Sequence, residues 1–251
     1  MKIFLLILSV VALSCSQLKA QLYEDTDKRP ATLIDFHYNY GVPMFDLADR
    51  FGVQNSLGAN VQYMWSDGWS LGINGRYFFG NDVREPGLLD NLFTSLDFVI
   101  GNNRSPARLT AKERGWVIGA TAAKIIDLAS SSARSGIRIE AGAGLLWHRI
   151  RLQDNGRSAI QLFEPYHKGY DRLTGGPCGI VDIGYQFMGA RRNLNFRFGI
   201  NAIIANTVSW RKYNYDTGQI DDQRRWDGMM NIYAAFILPI YGNDDASQIY
   251  Y

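Results

Sequence analysis

Few residues in this chain are of types and spacings that do chemistry, and each has a structural explanation beside it. The 251 residues include three His and two Cys. His37 and His148 fall in alternating segments, and His167 stands in a loop beside Lys168. A nucleophilic dyad needs its base within hydrogen-bond reach of a hydroxyl or thiol, and no loop groups Ser, His and carboxylate. Cys178 sits among Gly175, Gly176, Pro177 and Gly179 with no neighbouring His, which suits a small residue at a strand start better than a thiolate. Asp216-Thr217-Gly218 copies the aspartic-protease tripeptide, yet residues 214–222 are polar and read as a loop tip. Asp154-Asn155 and Asp221-Asp222 lack the alternate spacing of a calcium loop. There is no His/Cys cluster for zinc and no glycine-rich phosphate loop. The expectation is no catalytic, cofactor or metal site.

The elements that would have to position such residues are extended. Residues 57–79 read LGANVQYMWSDGWSLGINGRYFF. Leu57, Ala59, Val61, Tyr63 and Trp65 alternate with Gly58, Asn60, Gln62 and Met64. After Ser66-Asp67-Gly68, one face takes Trp69, Leu71, Ile73, Tyr77 and Phe79, the other Ser70, Gly72, Asn74 and Arg76. A period of two means strand, and Asp-Gly between two such runs signals a tight hairpin. Each arm has about the 9–11 residues that a tilted strand needs to cross a bilayer. Parity alone does not say which face is inside: a soluble, lipocalin-type barrel would turn its apolar row inward around a ligand.

The same alternation recurs along the chain. Segments 32–42, 116–124, 137–147, 181–187, 194–204 and 226–238 join the two arms, about eight strands in all; 116–124 also fits a helix. Connections near Ser66, Asp127 and Gly189 are short. Those near Pro43, Gly80, Arg151 and Thr207 are long, and residues 88–98 could form a short helix or strand pair. With mean hydropathy −0.16, a membrane protein here cannot be helical. The apolar run 3–13 follows Lys2 and precedes Leu18-Lys19-Ala20, the pattern of a secretory signal peptide over 1–20. A rival reading makes Cys15 a lipoprotein acceptor, which Ala12-Leu13-Ser14 matches poorly. Cleavage near Gln21 leaves Cys178 alone, so no intramolecular disulfide is expected. Net charge +2 without a basic stripe speaks against nucleic acid.

Three features favour an apolar face turned to lipid. An even strand number with short and long connections sorted to opposite ends is the pattern of single-chain bacterial barrels. The polar rows mix Asp35, Arg76, Arg138, Glu140, Asp182 and Arg197 with many Gly and Asn, and Gly-rich rows would weaken a solvated strand. Inside a narrow barrel Gly leaves room and opposite charges pair, as buried charges must; these six are the expected lumen network, in which Glu140 serves Arg76, Arg138 or Arg197. The aromatics divide into two girdles: Trp65, Trp69 and Phe187 at the periplasmic end, and Tyr40, Tyr77, Phe79, Trp116, Trp147 and Trp226 at the other. The fold expected is therefore all-β, an eight-stranded antiparallel transmembrane β-barrel, OmpX/OmpA-like, over 31–241 with long extracellular loops. Residues 21–30 form a short periplasmic leader and 242–251 a periplasmic tail. The location is the cell outer membrane.

The loop strings DLADRFG (46–52), YFFGNDVRE (77–85), KGYDRLTGG (168–176) and NYDTGQ (214–219) resemble a group of outer-membrane β-barrels of Bacteroidota similar to PorG, the barrel associated with the type IX secretion system. The resemblance implies a barrel that ties a periplasmic ring of that machine to the outer membrane, with no functional residue to carry over. The function expected is a non-enzymatic accessory or anchor subunit of a multiprotein outer-membrane machine. Its partners would be outer-membrane lipid and other outer-membrane or periplasmic proteins, met in part through Trp210, Tyr213 and Tyr215. The alternatives are an accessory subunit of outer-membrane protein assembly, a lipid-modifying enzyme and a small-ligand barrel.

Overall fold

The computed structural model describes residues 29–241 apart from 97, 128–133, 157, 164–165, 190–194 and 212. The signal segment, most of the leader, the 242–251 tail and most of two short turns lie outside the described residues. The period-two segments form eight long strands: β1 (Ala31–Phe45), β2 (Gln54–Met64), β3 (Trp69–Gly80), β4 (Leu109–Ile126), β5 (Gly136–Asp154), β6 (Thr174–Met188), β7 (Asn195–Ser209) and β8 (Arg224–Tyr241). Each pairs antiparallel with its neighbour in the chain, and β8 returns to β1 with Phe36 opposite Phe236. Closure leaves no barrel strand with an unpaired edge, the condition for crossing lipid with strands.

The β2–β3 turn follows from its residues. Trp65 N donates to Trp69 O at 2.8 Å and Gly68 N to Trp65 O at 3.2 Å. Asp67 Oδ1 accepts from Trp69 N at 3.2 Å, the side-chain turn that Asp favours. Gly68 stands at φ 82°, where a Cβ would crowd the backbone. Segment 116–124 is strand, in the middle of β4, with Trp116 between Tyr77 and Trp147. Its alanines favour helix; strand pairing on both sides overrides them.

Several connections are shorter than the alternation implies, because the strands run past it. β1 continues through Pro43 to Phe45, and a single helical turn, α1 (Asp46–Arg50), follows. Phe45 at φ 56° marks the reversal, uncommon for a bulky residue, and Leu47 and Phe51 drop into the barrel mouth. The described residues of 81–108 include a 3-10 turn, Asp90–Leu92, and a two-residue ladder of Val99–Ile100 with Pro106–Ala107. Cys178 is not at a strand start: it lies inside β6, facing the interior.

The inward rows are not polar from end to end. Leu33, Met64, Ile125, Met188 and Ile237 close the periplasmic end with apolar packing. Phe51, Phe78, Val117, Leu146, Ile203 and Met229 form a larger apolar layer toward the extracellular end. Small residues make this fit: a Cβ on Gly115 would lie 2.2 Å from the Phe78 ring. The charged layer lies between the two.

Candidate functional site

The middle layer gathers the six expected charged residues; Glu113 and Asp227, also buried in the inward rows, lie nearer the extracellular end. Asp35, Arg76, Arg138, Glu140, Asp182 and Arg197 are buried, three cations against three anions. Arg197 Nη2 donates to Asp35 Oδ2 at 2.7 Å. Arg138 forms an ion pair with Glu140, and its Nη1 lies 3.9 Å from Asp182 Oδ1. Glu140 and Asp182 stand directly opposite each other across β5 and β6, a like-charge pair that costs stability by itself. Arg138 lies against both. Arg76 finds no carboxylate within ion-pair distance among the described residues; its Nη1 donates to Asn201 Oδ1 at 2.9 Å.

Neutral groups complete the layer. Gln62 Nε2 donates to Asp35 Oδ2 at 3.1 Å while Gln62 Oε1 accepts from Arg138 at 2.7 Å and Ser70 at 3.0 Å. Tyr233 Oη donates to Asp182 Oδ1 at 2.9 Å, and the Arg197 guanidinium lies 5.9 Å from the Tyr233 ring centre. Asn201 bridges Asn39 and Asn231, and His37 Nδ1 is 3.2 Å from Asp35 Oδ1. The cavity among these side chains measures about 20 Å³, room for about one water. With apolar packing at both ends, the lumen is filled.

The outward rows are the reverse. Phe36, Val61, Leu71, Ile73, Leu145, Val181, Ile183, Phe198, Ile200 and Ile232 are all exposed, Ile73 at 64%, and together they make a continuous apolar belt that water would not tolerate. Trp65 and Trp69 flank the β2–β3 turn below it. Trp116 and Trp147 stand opposite each other above it, with Tyr77 4.9 Å from Trp116; Trp226 and Tyr40 are exposed on the same side. Phe187 is covered instead, stacked on Phe196 at 5.1 Å. From Trp69 to Phe79, β3 spans about 33 Å, or about 25 Å at a tilt near 40°, the height of a lipid-facing band.

The chain is an outer-membrane β-barrel.

The continuous apolar outer face with a charged layer inside is the reverse of a soluble ligand barrel and removes the lipocalin-type alternative. No protein family matches the chain, and no curated protein does. Among solved structures it is similar to Neisserial surface protein A, at 12% identity, covering 82% of this chain and 96% of that one with TM-score 0.43. Ail, the attachment invasion locus protein of Yersinia pestis, matches at 10% identity over 83% and 99% of the two chains, TM-score 0.39. OprG of Pseudomonas aeruginosa matches at 10% over 86% and 98%, TM-score 0.35. The assignment itself stands on the strand register and on which side chains face out.

A second charged constellation caps the extracellular mouth. The long connections 46–53, 81–108, 155–173 and 210–223 each contribute one member. Arg50 Nε donates to Glu85 Oε2 at 2.5 Å, Arg172 Nη1 lies 3.7 Å from Glu85 Oε1, and Arg172 Nη2 donates to Asp216 Oδ2 at 2.9 Å. All four side chains are buried. Backbone bonds reinforce the chain: Gly52 N to Asp82 O at 2.9 Å and Arg84 N to Arg50 O at 2.7 Å. Asp46 Oδ2 accepts from Trp226 N at 2.7 Å, pinning α1 to β8. Beside it Asp171 accepts two hydrogen bonds from Arg211, at 2.9 and 2.7 Å, and holds that guanidinium above its ordinary pKa.

Sequence reasoning names none of these four as a set, although each lies in one of the loop strings that carry the resemblance. It also passes over Tyr233, whose odd-numbered place on β8 puts it in the inward row. Trp210, Tyr213 and Tyr215 are exposed on the last loop. Tyr215 packs edge-on to Tyr170 at 5.8 Å and lines, with Ile160, Tyr166 and Tyr170, an aromatic cleft of about 400 Å³. Of the residues capable of chemistry, His148 meets Asp227 at 3.1 Å, and Thr207 Oγ1 donates to the same carboxylate at 2.6 Å. A nucleophile would have to bond the His rather than the Asp, and all three are sealed inside the barrel. Cys178 and His37 lie in the interior, Asp216 belongs to the cap, and the described residues group no metal-binding cluster.

Proposed function

We propose that this barrel is a non-enzymatic accessory or anchor subunit of a multiprotein outer-membrane machine, of the type IX secretion kind that its loop strings resemble. The filled lumen carries the reading. Three buried arginines, two of them ion-paired, and two apolar layers leave no path for a solute and no chamber for a ligand among the described residues, so the work of the protein falls to its surfaces. An interlocked cap supports this, because loops held by a buried chain of charges present a preformed face at low entropic cost. On that face Trp210, Tyr213, Tyr215 and the tyrosine cleft offer the aromatic anchors that interfaces favour.

The test is purification of a tagged chain from native membranes together with a deletion strain. The expected outcome is recovery of secretion components in fixed ratio, with secreted cargo retained in the periplasm of the deletion strain. A lone barrel and normal secretion would overturn the reading. Depletion of other barrels from the outer membrane would point to an assembly role, and an altered lipid A profile to an enzyme.

A further inference from the structure

Above the outer girdle, β4 and β5 continue with a different surface. The outward row of β4 runs Trp116, Arg114, Lys112, and that of β5 runs Trp147, Arg149, Arg151. In register, Trp116 faces Trp147, Arg114 faces Arg149 and Lys112 faces Arg151. Four cations thus meet on two adjacent strands, with like charge directly opposite like charge, an arrangement that costs stability. None has a carboxylate within ion-pair distance among the described residues. Among the described residues the Arg114 guanidinium donates to the carbonyls of Gly80 and Glu113 and lies 5.9 Å from the Phe79 ring centre. Arg149 and Arg151 are exposed.

Height and shape add to charge. At about 3.3 Å per residue and a tilt near 40°, the first pair of cations stands about 5 Å above the tryptophans and the second about 10 Å. Tryptophans at a membrane interface mark the headgroup level, so the cations sit where the outer leaflet carries its phosphates. Beside Arg149 and Arg151 the 155–173 loop encloses a cleft of about 490 Å³ with His167 and the apolar side chains Leu162 and Phe163 on its walls. Asp171, the acidic residue in the lining, is already held by Arg211.

We infer that this face of β4 and β5 binds a phosphate-bearing glycolipid of the outer leaflet, its phosphates among Lys112, Arg114, Arg149 and Arg151. Acyl chains would lie along Trp116 and Trp147, and the sugar would reach into the cleft under the loop. The missing counter-charge of the patch is then supplied by the lipid, and the strands extend past the membrane to carry it. The inference does not depend on the anchor role, because any barrel with this surface would hold the lipid.

The probe is phosphorylated lipid A added to the detergent-purified full chain, counted by native mass spectrometry, with fully dephosphorylated lipid A and inorganic phosphate as further arms. The variant is K112Q/R149Q/R151Q, whose changes are all outward and relieve like-charge pairs; its folding is verified by heat-dependent gel migration. The expected result is at least a tenfold loss of affinity for phosphorylated lipid A in the variant, weak binding of the dephosphorylated form by both proteins, and no competition by millimolar phosphate. Equal affinity of variant and parent, or equal affinity for the two lipids, would overturn the inference. Displacement by free phosphate would also overturn it, assigning the patch to simple anions.

Discussion

The lumen and the cap both bury charge, yet they hold it in different ways. In the lumen every charged residue comes from a strand, and its place is set by a register repeated on both sides: Glu140 opposite Asp182, Asp182 opposite Asn201, Asp35 opposite Asn60. In the cap each member comes from a different loop, and Arg50, Glu85, Arg172 and Asp216 meet only because the closed barrel brings four loop bases together. The lumen charges therefore belong to the cooperative unit of the barrel. The cap is a lesser unit resting on it, able to open while the barrel stays intact.

Substitutions can break or sharpen this contrast. The largest effect is expected at Arg138, which separates two carboxylates that face each other across β5 and β6. Arg138→Leu should lower barrel stability by about 3–5 kcal/mol, the cost of orphaning a buried charge, read as unfolding in urea from detergent micelles or vesicles. Glu140→Leu should cost less, because Asp182 and Gln62 remain beside Arg138. Equal effects, or none, would mean that these groups do not share one dry layer.

In the cap, Glu85→Gln removes the carboxylate between Arg50 and Arg172. It should weaken cap closure by about 2 kcal/mol, the worth of hydrogen bonds to a charged group, while leaving the urea midpoint of the barrel nearly unchanged. Limited proteolysis of intact cells should then cut the 81–108 and 155–173 loops faster. A barrel midpoint that falls as far as in Arg138→Leu would erase the distinction between the two units. The smallest effect belongs to Arg84→Ala. Its Asp82 partner is on the surface and the pair is open to solvent, so no measurable change is expected in either assay.

The strands and their parity were legible in the residues, because a period of two is a local property; of the aromatics expected at the two interfaces, Phe187 is covered by Phe196 while Trp65, Trp69, Trp116 and Trp226 are exposed. The six lumen charges could be read from the same parity, although not their pairing: Arg76 turned to Asn201 and Arg138 to two carboxylates at once. The apolar layers above and below them were not read, since Val117, Leu146 and Ile203 interrupt rows otherwise rich in Gly and Asn. Helix α1 was hidden inside a loop string; its Leu47 and Phe51 show their purpose only when the barrel mouth is there to receive them.

By itself the sequence determined that strands would alternate greasy and polar faces and that crossing a membrane would expose the greasy one. Only the tertiary structure decided which charge meets which. Residues 50, 85, 172 and 216 have no local pattern in common, and their encounter depends on ring closure, which places chain segments far apart in sequence at neighbouring points around one rim.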